Sequence, residues 1–278
     1  MSDRMFDLLG WLGSVGASGG WATAFHGLAT TAAIAVATWL ASVVRRDVSL
    51  VDRVWSLCIF GAGLTYAFVL PHTGPRASCA LGLAGLWAVR LSAYITWRNW
   101  GHGEDRRYQA IRARNEPNFP LKSLVLVFGL QAVLAWLVSA PLLAAAAGAH
   151  GWTLLDTVGA CIATFGLLFE AIADAQMARF KASPAHLGQV MDQGLWRFTR
   201  HPNYFGEFCV WWGLYLMALA AGGGWSIVSP LLMSVLLLKV SGVTLLEADL
   251  TERRPAYRAY IARTPAFFPG RPRRATEA

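Results

Sequence analysis

In the stretch Leu195-Trp196-Arg197-Phe198-Thr199-Arg200-His201-Pro202-Asn203-Tyr204-Phe205-Gly206-Glu207, arginines, a histidine, an asparagine, a tyrosine and a glutamate stand against the start of an apolar run, 208–221. Groups of these types hold polar ligands, since arginine forks suit phosphates and carboxylates accept hydroxyl protons. An unpartnered charge at such a boundary costs on the order of several kcal/mol, so its presence asks for a role. Pro202 suits the first turn of a helix, where no backbone N–H is needed. Asn203 and Glu207 then stand four residues apart on one helix face. Anchoring to lipid headgroups explains the basic and aromatic residues but does not call for Asn203 or Glu207.

Other polar clusters follow the same pattern. Gly101-His102-Gly103-Glu104-Asp105-Arg106-Arg107-Tyr108 lies between two apolar runs. Glu170, Asp174 and Lys181 recur at spacings of four and seven, so they share a helix face, and Glu247 closes the last run. Any one of them could simply pair with a neighbouring helix. Gathered on one membrane face, they predict a common polar cavity for a phosphate-bearing ligand. A second group, Arg90, Tyr94 and Arg98 at intervals of four, could line a pocket with Asp52 and Trp55. The alternatives are arginines that snorkel to the interface and an Asp52 salt bridge with Arg53 or Arg90. Gln131 and Lys239 are read as bonding to neighbouring helices.

The elements that must position these residues are membrane helices. Hydrophobic residues make up 55% of the 278 and charged residues only 14%, far too apolar for a soluble domain. The net charge of +8 is spread between apolar runs and forms no stripe for nucleic acid. Segment 5–15 is apolar on one side and reads as interfacial. Seven runs then approach a spanning length, near 21–44, 51–70, 77–97, 121–147, 154–177, 204–221 and 227–247. The first is too long for a cleavable signal peptide, and its arginines follow it. Odd connections carry Arg45, Arg46 and Arg53, then 98–122, 179–200 and 253–274, whereas even ones carry only Arg4 and Arg76. This alternation predicts an all-α bundle of seven spans, with the N-terminus outside and the C-terminus cytoplasmic. Neither a G-x-G-x-x-G after a strand nor a Walker A sequence is present. Cys58, Cys79, Cys161 and Cys209 sit apart in apolar runs, and neither they nor the histidines show metal-ligand spacing.

The run Phe198–Glu207, with Glu170…Asp174 upstream and Tyr257…Tyr260…Pro269 downstream, resembles the steroid 5-alpha-reductase family, most closely its bacterial members. The likeness is good from Gly103 to the C-terminus and weaker over the first two spans. It implies one membrane-embedded reductase domain, 1–278, with substrate-side helices in 1–100 and the cofactor-binding part in 101–278. The implied cofactor is NADPH, held by Arg106, Arg107, Tyr108, Asp174, Lys181, Arg200, His201, Asn203, Tyr204, Glu207 and Glu247. Animal members grip the steroid ketone with a Gln-Glu pair and a tyrosine. Here the nearest carboxylate is Asp52, Trp87 stands at the tyrosine position, and Tyr94 follows two turns later. Glu247 replaces a cofactor-contacting histidine of the animal members.

The expected reaction is hydride transfer to the β-carbon of a 3-oxo-4-ene steroid or similar enone lipid. Asp52 and Tyr94 are the candidate donors at the ketone oxygen, and Trp55, Trp87 and Arg90 line the substrate site. The expected setting is a monomer in a bacterial inner membrane, in contact with membrane lipid, with its active site facing the cytoplasm and no metal or nucleic acid. The rival is an S-adenosylmethionine-dependent membrane methyltransferase of isoprenylcysteine or phospholipid type, which carries a similar Arg-His-Pro-x-Tyr-x-Gly run. Those enzymes generally lack the Gly-Glu-Asp-Arg-x-Tyr segment seen at Gly103–Tyr108.

Overall fold

The structure, a computed structural model, describes residues 20–71, 74–149, 151–240 and 255–272, and every regular element among them is helical. Four helical stretches are long and apolar enough to cross a membrane: Gly20–Arg45, Pro75–Arg98, Phe119–Ala147 and Leu154–Ala182. Helices Leu50–Val69, Pro202–Ala220 and Val228–Val235 fall where the other three spans are expected. Segment 5–15 and the end of the last span, Glu247 included, lie outside the described residues. Packing divides the chain into two compact units, 1–152 with 218–226, and 153–217 with 227–278.

In the first unit, α1 (Gly20–Arg45) packs along α2 (Leu50–Val69), and α2 along α3 (Pro75–Arg98). Apolar composition alone does not hold helices together in lipid, so close packing and polar contacts must. Tyr66 Oη and Ser139 Oγ lie 2.8 Å apart, and Thr30 and Thr65 hydroxyls 2.7 Å apart. Trp136 Nε1 donates to Ala24 O at 2.8 Å, and Ser56 Oγ to Ala88 O at 2.9 Å. Each such bond contributes on the order of 0.6 kcal/mol. The apolar interior around them includes the fully buried Ile59, Trp87 and Phe128.

Between α3 and the next span lies a short helix, α4 (Arg106–Asn115), that the span pattern does not anticipate. Asp105 caps it, its carboxylate accepting the Arg107 N–H at 2.9 Å. The fourth span is not the uniform helix its apolar run suggests. It comprises α5 (Phe119–Ser123), a π-helical segment at Leu124–Gly129, α6 (Leu130–Val138) and α7 (Ala140–Ala147). Pro141 has no N–H to continue a helical ladder, and Ser139 sits at the break with Oγ donating to Trp136 O at 2.6 Å.

In the second unit, α8 (Leu154–Ala182) starts at a capping box in which Thr153 N donates to Asp156 Oδ2 at 2.7 Å. It runs past the expected end at 177, carrying Lys181 on its last turn. Pro202 opens α9 (Pro202–Ala220), the helix of the polar motif. After it come α10 (Val228–Val235), a π-helical continuation at Leu236–Val240, and α11 (Pro255–Arg263).

Candidate functional site

In the second unit the polar motif is placed by a glycine seam. A Cβ on Gly206 would lie 2.6 Å from Glu170 N and 2.7 Å from Gly166 O. One on Gly213 would lie 2.5 Å from both Ala163 N and Gly159 O. Each helix therefore offers glycines seven residues apart, about two turns, where the backbones of α8 and α9 touch. Gly206 of the Asn-x-x-Gly-Glu motif is thus a packing residue that brings α9 against the Glu170 turn. Glu170, Asp174, Glu207 and His201 are all buried, at 2%, 5%, 7% and 4% exposure. Burying such groups is costly unless they are hydrogen-bonded, so their concentration on this helix pair is chemically specific.

The residues before α9 form a strap for the end of the chain. Arg200 N donates to Pro265 O at 2.9 Å, and its Nη1 donates to Ile261 O at 3.1 Å and Thr264 O at 2.5 Å. Thr199 Oγ1 donates to Phe267 O at 2.8 Å, and Gly270 N to Phe198 O at 2.9 Å. Arg200 thereby caps α11 at the end where a helix favours a cation, a use that linear spacing does not show. The Tyr260 hydroxyl donates to Trp196 O, and burial, then Tyr257, pushes its phenol well up. Phe205 and Phe208 meet Phe267 and Phe268 edge-on at centroid separations of 5.5–6.0 Å. The His201 ring stacks on Tyr204 with centroids 5.6 Å apart, Asn203 is half-buried and Lys181 is exposed.

The first unit holds the other candidates. Tyr108 Oη donates to Asp52 Oδ1 at 2.6 Å, and Arg107 Nη2 to Asp52 Oδ2 at 2.9 Å. Arg107 also bonds Asp105 through Nε at 3.1 Å. Burial opposes the charge on Arg107, but Asp105 and Asp52 outweigh it and hold the guanidinium protonated. Burial, and then the Asp52 charge, push the Tyr108 phenol well up, so it stays a neutral donor. Two residues expected at the cofactor thus meet one expected at the ketone. The contact joins positions 56 apart in sequence, and no spacing rule signals it.

The phenol beside Asp52 is that of Tyr108. Tyr94 instead has its ring 6.1 Å from Trp97 and under the Arg98 guanidinium at 5.8 Å. Arg53 pairs with Asp47 at 3.3 Å, so the ion pair allowed for Asp52 forms with Arg107. Trp87 is fully buried and Arg90 half-buried. The Trp55 indole N–H is buried without a hydrogen-bond partner among the described residues. Arg106 is exposed on the first turn of α4. Among the described residues no three His, Cys, Asp or Glu side chains converge as metal ligands.

Glu104 fixes the start of this connection. Its Oε1 accepts Val48 N–H at 2.9 Å and Arg112 Nη2 at 2.8 Å, while Oε2 accepts Arg112 Nε at 3.0 Å. Burial opposes the charge, but Arg112 and the Val48 N–H outweigh it and hold the carboxyl below its ordinary range. The stabilisation is therefore complete above the ordinary carboxylate range and lost as pH falls through the lowered value. Thermal unfolding in detergent should show an acid limb, flattened in Glu104→Gln. An equally steep limb in that variant would assign the acid sensitivity elsewhere.

A family model described as Protein of unknown function (DUF1295) matches residues 38–264. The uncharacterized protein C594.04c of Schizosaccharomyces pombe is 27% identical over 269 residues, covering 83% of this chain and 75% of that protein. No solved structure matches the chain.

Proposed function

We propose that this chain, which belongs to the DUF1295 family, is an NADPH-dependent membrane reductase of conjugated ketones carried by a lipid, such as a 3-oxo-4-ene steroid. The observation that carries the reading is the buried carboxylate set Glu170, Asp174 and Glu207 on α8 and α9, with Asn203 one turn before Glu207. Carboxylates and an amide suit the hydroxyl and carboxamide groups of a dinucleotide, and the stacked His201–Tyr204 pair offers a flat face. The donor set therefore fits the cofactor, with Lys181 exposed on the last turn of α8 and Arg200 committed in part to α11. NADPH, when bound, supplies the hydride.

What the chain's own residues do is stabilise the oxygen of the ketone. Hydride arrival at the β-carbon places negative charge there, and a fixed hydrogen-bond donor stabilises that charge more in the transition state than in the ground state. Tyr108 Oη lies 2.6 Å from Asp52 Oδ1, with Arg107 on the second carboxylate oxygen, and we assign the donor to this pair, the Tyr108 O–H turning from Asp52 to the ketone oxygen while Arg107 keeps the carboxylate paired. Trp55 is a second candidate, since its buried N–H has no partner among the described residues. The proposed setting keeps a bacterial inner membrane, with seven spans, an outside N-terminus and a cytoplasmic C-terminus, the topology being supported by the one-sided basic connections.

The test is equilibrium binding to the purified full-length protein with NADPH beside S-adenosylmethionine. NADPH is expected to bind, with Asn203→Ala or Glu207→Ala weakening it about tenfold while the protein stays folded. Binding of S-adenosylmethionine alone would replace the reductase by the methyltransferase reading.

A further inference from the structure

Helix α1 ends in a Schellman turn, with Asp47 N donating to Ser42 O at 3.1 Å and Arg46 N to Val43 O at 3.4 Å. The left-handed residue of such a turn is ordinarily glycine, since a Cβ is strained there. Here it is Arg46, at φ 52°. Its exposed side chain makes no hydrogen bond or ion pair among the described residues. Backbone strain of this kind clusters at ligand clamps and switch regions.

Arg46 overhangs a shallow recess that is open to solvent and also lined by Arg112, Ser42, Ser123, Val48 and Pro120. The recess lies where α1 meets the start of the fourth span, tied by Trp39 Nε1 donating to Pro120 O at 2.8 Å. Its apolar surroundings are bare, with Val44 84%, Leu121 67% and Val125 71% exposed. Arg45 and Lys122 are exposed beside them. Glu104 offsets Arg112, which leaves Arg46 and its neighbours as net positive charge above an apolar seam.

We propose that this recess is a binding site for the phosphate of an anionic phospholipid, with its acyl chains lying along Val44, Leu121 and Val125. Phosphate suits the arginine fork, and the apolar seam beneath suits chains rather than a soluble anion. A cation cluster at a membrane edge attracts acidic lipid for the same reason. The site is independent of the reductase reading.

Arg46→Gly gives a clean test, because glycine relaxes the turn while removing the guanidinium. Full-length delipidated protein in non-ionic detergent would be titrated with phosphatidylglycerol and with phosphatidylcholine of the same chains, and lipid occupancy read by native mass spectrometry. The wild type is expected to prefer phosphatidylglycerol about tenfold. Arg46→Gly should bring the two lipids within about twofold, with an unfolding temperature unchanged or raised, and Arg46→Lys should retain part of the preference. An undiminished preference in Arg46→Gly, or none in the wild type, would overturn the proposal. So would displacement of phosphatidylglycerol by millimolar inorganic phosphate, which would make this a soluble-anion site.

Discussion

Tyr108→Phe is expected to lower turnover of a 3-oxo-4-ene steroid roughly a hundredfold while leaving NADPH affinity within a few-fold. The phenol is buried, donates to Asp52 at 2.6 Å and stays protonated because burial and the neighbouring carboxylate resist its ionisation. Removing the hydroxyl keeps the ring in its packing site and deletes the donor. Asp52→Ala should cost at least as much, since it also leaves Arg107 without the carboxylate it bonds at 2.9 Å. Asp52→Asn keeps the shape and an acceptor but loses the charge, and should fall between. Tyr94→Phe is the comparison, with its ring against Trp97 and Arg98. NADPH consumption under saturating steroid gives the rates. Full activity in both Asp52→Ala and Tyr108→Phe would remove the pair from the mechanism, and a large loss in Tyr94→Phe alone would restore the donor expected from sequence.

The second large effect concerns the seam between α8 and α9. Gly206→Ala puts a methyl 2.6 Å from Glu170 N and 2.7 Å from Gly166 O, and backbone atoms have no rotamer with which to yield. Separating the helices loses contacts along their length, so the cost should reach or exceed the roughly 1–3 kcal/mol typical of overpacking. Because Glu207 and Glu170 flank that contact, NADPH affinity should fall more than tenfold along with the unfolding temperature. Gly82→Ala is the control, because its Cβ meets nothing within 4 Å. There a methyl should be neutral or stabilise α3 by about 0.5–1 kcal/mol. Equal unfolding temperatures for the two variants would show that the seam does not govern this packing.

The amino-acid sequence by itself determined that the chain is helical and membrane-compatible, because an apolar run of about twenty residues satisfies its own backbone in lipid as a helix, whereas barrel strands are about half that length and alternate. Pro202 at a helix start and the polar motif just inside it were legible for the same reason, since both depend on residues within a turn of one another. The motif's glycine was legible as a residue but not as a contact, because only the approach of α8 defines what its missing Cβ avoids. Arg200 reads as a phosphate ligand in sequence. The fold commits part of it to the carbonyls of 261 and 264, acceptors more than sixty residues away. Asp52 was identifiable as the carboxylate of its region, but its partner was not. Spacing along α3 pointed to Tyr94, whereas α4, a helix too short and polar to register as a span, brings Tyr108 and Arg107 to it. Local hydrogen bonding and hydropathy act within a few residues and leave a pattern in the chain. Which distant side chains meet is decided by how helices pack, and that became visible only in the tertiary structure.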